Sequence, residues 1–164
     1  MIIIADTTPL HYLIEIDEQD LLKALFGQVI LPQGVTEELL HPKAPPKVKA
    51  WMQNPPDWIE VRTADTTLFE PQKKIGKGER QAIALALEMQ ADAVLADDRG
   101  AVLEARRVNV QTIQTLGILE AGAKRNLLAL EEVLVRLQQT SFYVLPEIIE
   151  ALLERHRLFK QPFN

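Results

Sequence analysis

The sequence predicts an α/β fold on a mainly parallel sheet of five strands, and three observations carry that prediction. Short apolar runs recur along the chain, several of them closed or bounded by Asp or Pro. Segments with apolar residues at helical spacing lie between them. After Glu79 the order is helix, strand, helix, strand, helix, and such alternation implies right-handed crossovers between parallel strands.

Ile2 to Ala5, a β-branched run closed by Asp6, is the first strand. Leu10, Leu13 and Ile14 then have helical spacing. Val29-Ile30-Leu31, closed by Pro32, is the second strand, and Val35, Leu39 and Leu40 mark the helix after it. Pro45-Pro46 and Pro55-Pro56 break up the stretch 42–56 and leave room for a short helix around Val48 to Met52. Trp58 to Val61 is the third strand. Ala82, Ile83, Ala86, Leu87 and Met89 form a broad apolar face in a segment rich in strong helix formers. Ala93 to Ala96 is mostly apolar, as a strand covered on both faces should be. Gly100 to Arg107 reads as a helix, Val108 to Ile113 as the fifth strand, and Gly117 to about Asn126 as a helix. Two more helices are expected, Leu130 to Gln139 and Pro146 to Leu158, with Pro146 suited to a first helical turn. Ile148, Ile149, Leu152 and Leu153 stripe the last one, a pattern read first as a core face and second as an interaction face. No repeat, low-complexity tract or linker divides the chain. A single domain over 1–164 is expected, with 130–164 as its helical C-terminal extension.

Composition narrows the function. An apolar fraction of 47% over 164 residues suits one domain with a real core. No apolar run approaches the ~20 residues of a bilayer span, and the apolar start has no basic flank, so neither a membrane segment nor a signal peptide is expected and the cytoplasm is the expected location. Without cysteine there are no disulfides, thiolate zinc sites or cysteine nucleophiles. A net charge of −5 argues against holding nucleic acid by bulk electrostatics alone. Two local basic clusters remain, Lys73, Lys74, Lys77 and Arg80, and Arg99, Arg106 and Arg107, whose ordinary reading is a solvated face.

Acidic residues mark the candidate site. In an open parallel sheet, ligands collect beyond the carboxyl ends of the strands where strand order reverses. Asp6 and the Asp97-Asp98 pair stand at such ends, and a 3-2-1-4-5 strand order would set them beside one crevice. Glu38, on the helix after the second strand, and Glu79, near the start of the helix leading into the fourth, can reach the same place. Taken singly each has a plain role: Asp6 and Asp98 as helix caps, Glu38 as a solvated residue, Glu79 as a complement to a helix dipole. Together they make an oxygen-only site, which selects Mg²⁺ or Mn²⁺ over zinc or copper. Such an ion offsets the repulsion between adjacent carboxylates and can activate water against a phosphodiester.

Asp6 in IIIADTTPL, Glu38 in LPQGVTEELL, Glu79 in GKGERQAIALA and Asp97-Asp98 in LADDRGA, followed by QTLGILEAGAK, resemble the PIN-domain family, above all its small prokaryotic branch related to VapC-type toxin ribonucleases. The resemblance spans nearly the whole chain in motif order. It implies a three-layer α/β/α fold with strand order 3-2-1-4-5 and a Mg²⁺- or Mn²⁺-dependent ribonuclease. Asp6, Glu38, Glu79 and Asp98 would be its four catalytic acids, with Asp97 as a further metal ligand. The same resemblance places Thr8 where a hydroxyl often lies near the first acid and makes Thr115 a weaker candidate of that kind; a plain N-cap at Gly117 is the other reading of Thr115. Lys77, Arg80 and Arg99 are candidate contacts to RNA phosphates. An RNA substrate, a homodimer and a small antitoxin partner are implied as well. The stretches LEEVLVRLQQ and PEIIEALLERHRLF extend beyond many toxin-type members.

Other classes fit less well. A receiver-type phosphoacceptor module wants its acidic pair after the first strand, where this chain has only Asp6, and a haloacid-dehalogenase-like phosphatase wants Asp-x-Asp there, where Thr7 and Thr8 follow Asp6. GKGER lacks P-loop spacing, and His11, His41 and His156 form no metal spacing. The serious rival is a PIN-fold interaction module that cleaves weakly or not at all.

Overall fold

The structure, a computed structural model, describes residues 1–162; Phe163 and Asn164, the end of the predicted extension, lie outside the described residues. Five strands form one sheet: β1 (Ile3–Ala5), β2 (Val29–Pro32), β3 (Ile59–Arg62), β4 (Ala93–Leu95) and β5 (Thr112–Ile113). Their order is β3-β2-β1-β4-β5 and every neighbouring pair is parallel, as the sequence predicts. Nine α-helices connect or follow them among the described residues: α1 (Thr7–Glu15), α2 (Leu21–Phe26), α3 (Gln33–Leu39), α4 (Pro46–Gln53), α5 (Lys77–Met89), α6 (Arg99–Arg107), α7 (Thr115–Lys124), α8 (Leu130–Gln138) and α9 (Pro146–Lys160).

The sheet is buried on both faces, which is why its central strands are apolar without alternation. Ile4, Ile30 and Val94 stand in register across β1, β2 and β4 and pack in one cluster with Ala82, Ile83 and Ala86 of α5. Ile3, Ala5, Leu31 and Leu95 alternate with them along the strands and are buried too. The edge strand β3, by contrast, is half-buried or exposed throughout.

Boundaries differ from the sequence reading where termination is encoded without glycine. The expected strand over Val108 to Ile113 shrinks to two residues, because α6 ends in a left-handed Asn109 (φ 61°) with Val110 N–H donating to Ala105 O at 2.9 Å and Asn109 N–H to Arg106 O at 3.0 Å. This paired closure is a Schellman motif. Asp17, Gln90 and Asn126 end α1, α5 and α7 with the same pairing. The six-residue α2, closed by Gly27 at φ 78°, was not apparent from apolar spacing.

The contact pattern divides the chain into two compact units. Met1–Thr115 holds the whole sheet, and the second unit begins at Leu116. Within the second, α8 packs on α9, and Glu120 accepts paired hydrogen bonds of 2.7 and 2.8 Å from Arg155. Its buried side chains include Leu130, Val133, Leu137, Ile149 and Leu152, whereas Ile148 on the same stripe is exposed. Among the described residues no helix is long and apolar enough to cross a membrane.

Candidate active site

Strand order reverses between β1 and β4, since the chain runs outward from β1 through β2 to β3 and then returns to the other side of β1. Their carboxyl ends are therefore adjacent, with Ala5 opposite Leu95. Asp6 extends this ladder by one bond, donating its N–H to Leu95 O at 2.9 Å, and its side chain is 3% exposed. On the neighbouring strand end Asp98 caps α6, accepting from Ala101 N–H at 3.0 Å. Asp97 has a different environment: its two carboxylate oxygens accept from the N–H (2.9 Å) and the hydroxyl of the fully buried Thr115.

Glu38 and Glu79 arrive on helices that cross closely. A Cβ at Gly78 of α5 would lie 2.7 Å from Glu38 Oε1 and 3.3 Å from Val35 Cγ2 of α3, and one at Gly34 of α3 would lie 2.7 Å from Gln81 Oε1. Glycine at both positions allows this approach. Pro32, the N-cap of α3, supplies no capping side chain, and Gln81 replaces it from α5 by accepting from Gly34 N–H at 2.7 Å. Glu38 Oε2 is held by Thr7 Oγ1 at 2.6 Å, and Glu79 Oε2 by Gly76 N–H at 2.8 Å.

Asp6 and Glu79 feel the neighbouring carboxylates. Burial lifts the Asp6 carboxyl from its ordinary 3.8 to about 7; the charges of Glu79, Glu38 and Asp98 add to that, and a backbone bond from Thr7 opposes it. Glu79 is also raised, first by burial and then by Asp98 and Glu38, against the pull of Gly76 N–H. Burial raises Asp97 too, opposed by both Thr115 bonds, but Asp97 does not contribute to the shift of Asp6. Asp98 is thus the member of the pair coupled to Asp6. Asp6 and Glu79 border a narrow crevice lined by Ala82, Ala96 and Ala101, too tight for a water molecule, which accounts for the desolvation.

A model of the PIN domain matches residues 2–157. The chain belongs to the PIN-domain family. No curated protein matches it in sequence. PIN domains are generally nucleases that act on nucleic acid and typically use divalent metal ions. In this PIN domain the donors suit such an ion chemically. Asp6, Glu38, Glu79 and Asp98 are all oxygen donors, none forms an ion pair among the described residues, and Glu38, Glu79 and Asp98 each hold one oxygen on a neutral donor. As the side chains stand, no three of the described His, Cys, Asp and Glu groups gather closely enough to hold a metal.

The remaining predicted residues fall as follows. Thr8 is half-buried and makes no side-chain hydrogen bond among the described residues; the hydroxyl bonded to a site acid is that of its neighbour Thr7. Lys77 pairs with Glu37 at 3.1 Å on the surface. Arg80 donates to Thr66 O, Phe69 O and Glu70 Oε2, which binds it into the segment before α5. Arg99 is exposed and has no ion pair among the described residues. Sequence reasoning missed Thr7, Gln81 and Gly78; of these only the glycine left a signal, a break in an otherwise strong helix former run.

Proposed function

We propose that this PIN domain is a metal-dependent endoribonuclease of the VapC-like branch, and that Asp6, Glu38, Glu79 and Asp98 hold Mg²⁺ or Mn²⁺. The observation that supports this most is a buried Asp6 whose carboxyl is raised by burial and by the charges of Glu79, Glu38 and Asp98, none of which forms an ion pair among the described residues. A bound divalent ion would supply charge to stabilise the oxygens of a phosphodiester under attack and to favour hydroxide over water. The chain's own part is positional: Thr7 sets Glu38, Gly76 sets Glu79, and Ala101 sets Asp98. Hydrolysis adds one water, forming a bond to phosphorus as the bond to one ribose oxygen breaks, with the water's proton ending on that oxygen. In this reading Asp97 is a further metal ligand, and Thr115 supports it from behind through its N–H and hydroxyl. We further propose a cytoplasmic toxin that works as a homodimer with a small antitoxin, with the helices after Thr115 serving the same domain.

Purified protein assayed on a diverse RNA pool with Mg²⁺ or Mn²⁺ tests the reading. Cleavage should require the metal, and Asp6→Asn or Glu79→Gln should lower the rate by about 10²-fold or more while each variant keeps its folded spectrum. Cleavage that persists in EDTA, or at the wild-type rate in Asp6→Asn, refutes the mechanism. Metal binding without any cleavage would make the protein a PIN-fold interaction module instead.

A further inference from the structure

Between the 3₁₀ turn Thr66–Leu68 and α5 the chain has no regular structure, yet one buried carboxylate fixes its course. Glu104 of α6 is 3% exposed, and its Oε1 accepts from Gln72 N–H at 2.9 Å and Lys73 N–H at 2.6 Å. Its Oε2 is held by Arg107 at 2.9 Å, whose guanidinium also donates to Glu70 O at 3.0 Å and lies over the Phe69 ring. Burial alone would raise the Glu104 carboxyl, but the bonds from Lys73, Arg107 and Gln72 outweigh it and hold the group below its usual range, so the clamp is ionic. Farther along, Ile75 reaches Gly100, where an added Cβ would stand 3.7 Å from Ile75 Cγ2, and Gly76 is tied to Glu79.

The segment therefore runs back along α6 from Glu104 toward the end that carries Asp98. It takes Lys73 and Lys74 with it, both exposed and without an ion pair among the described residues. Arg99, the first residue of α6, is likewise exposed and unpaired. Of the other cations close in sequence, Lys77 is occupied by Glu37, Arg80 by Glu70 and two carbonyls, and Arg107 by Glu104, while Arg106 is exposed near the far end of α6. In a chain of net charge −5, Lys73 and Lys74 on this fixed segment and Arg99, next to Asp98 at the start of α6, are three cations without an ion pair among the described residues. Phosphates next to a scissile one need such neighbours, because the acids at the centre repel a polyanion.

We propose that the Gln72–Ile75 segment, clamped to α6 by Glu104, is a backbone-binding rim for single-stranded RNA in which Lys73, Lys74 and Arg99 contact phosphates flanking the site. This rests on the nuclease reading above. Glu104 is a positioning residue and touches no substrate.

The test is anisotropy of a labelled single-stranded RNA in EDTA, where nothing is cut, over a range of salt. Each of Lys73→Ala, Lys74→Ala and Arg99→Ala should reduce the slope of log affinity against log salt by about 0.7, and the triple variant by about 2. Arg106→Ala, an exposed cation about 10 Å from Arg99 along α6 and on the face of that helix opposite Glu104, should leave the slope unchanged. Glu104→Gln should weaken binding with the slope retained and, with metal present, raise KM at constant kcat. A triple variant with wild-type slope and affinity overturns the rim, as does an equal loss in Arg106→Ala or a wild type that fails to bind RNA at low salt. Binding through these cations without cleavage in metal would leave the rim standing and refute only the nuclease reading.

Discussion

Asp6→Asn should change the pH dependence of stability of the metal-free protein in a direction opposite to that of a salt-bridged acid. The Asp6 carboxyl sits at about 7 in the fold against an ordinary 3.8, with burial the main cause and three neighbouring carboxylates the rest. Between those values the native state keeps a proton that the unfolded chain has released, so stability falls as pH rises. The interval from 3.8 to about 7, at ~1.36 kcal/mol per pH unit, comes to about 4 kcal/mol. That stability is present below 3.8, is lost progressively through the interval, and is gone above about 7. Asparagine has nearly the same shape and no charge. It adds a pH-independent offset for its N–H, about 1–3 kcal/mol if unpaired, so the diagnostic is the slope. Urea denaturation in EDTA at several pH values from about 4 to about 8 should show the variant gaining on wild type by about 4 kcal/mol across the range. Added Mg²⁺ should then favour wild type, because a ligand that binds only the native carboxylate stabilises it. Parallel pH curves for the two proteins, or a wild type that gains on the variant as pH rises, would refute the reasoning.

Two further substitutions probe the supports of the site. Gly78→Ala would place a methyl 2.7 Å from Glu38 Oε1 and 3.3 Å from Val35 Cγ2; stability should change by no more than about 1 kcal/mol, since alanine favours the helix, while displacement of Glu38 should cost cleavage about 10²-fold. Thermal melts beside rate measurements check this, and full activity would mean that Glu38 is not held where the reaction needs it. Thr115→Val removes the hydroxyl donor from Asp97 and keeps the N–H. It should destabilise by roughly 1–3 kcal/mol, and more at high than at low pH, because Asp97 loses a bond that opposes its burial. Unfolding followed at both ends of the pH range decides between that and a uniform loss.

Much of the fold was legible because its signals are local. Apolar β-branched runs stopped by Asp6 or Pro32 mark strands whatever surrounds them, the crossover rule makes the sheet parallel, and the 3-2-1-4-5 order comes with the resemblance to the PIN-domain family. Helix ends were less legible. Asp17, Gln90, Asn109 and Asn126 all adopt left-handed closures usually given to glycine, and at Asn109 the missing glycine concealed the turn and lengthened the fifth strand on paper.

For the candidate site, the chain's order alone put Asp6 and Asp98 at strand ends, since a carboxylate directly after an apolar run has to emerge where the strand does. Tertiary structure alone decided which partner each one meets. Thr115 reaches Asp97 across 18 positions, Glu38 meets Thr7 across 31, and Gln81 closes the helix of Gly34 across 47. No spacing rule carries such pairings, because they depend on how helices α3 and α5 cross and on the register of β1 with β4. Local preference is written along the backbone, whereas the raised pKa of Asp6 arises only when the fold buries it, with carboxylates from distant parts of the chain adding to the effect of burial.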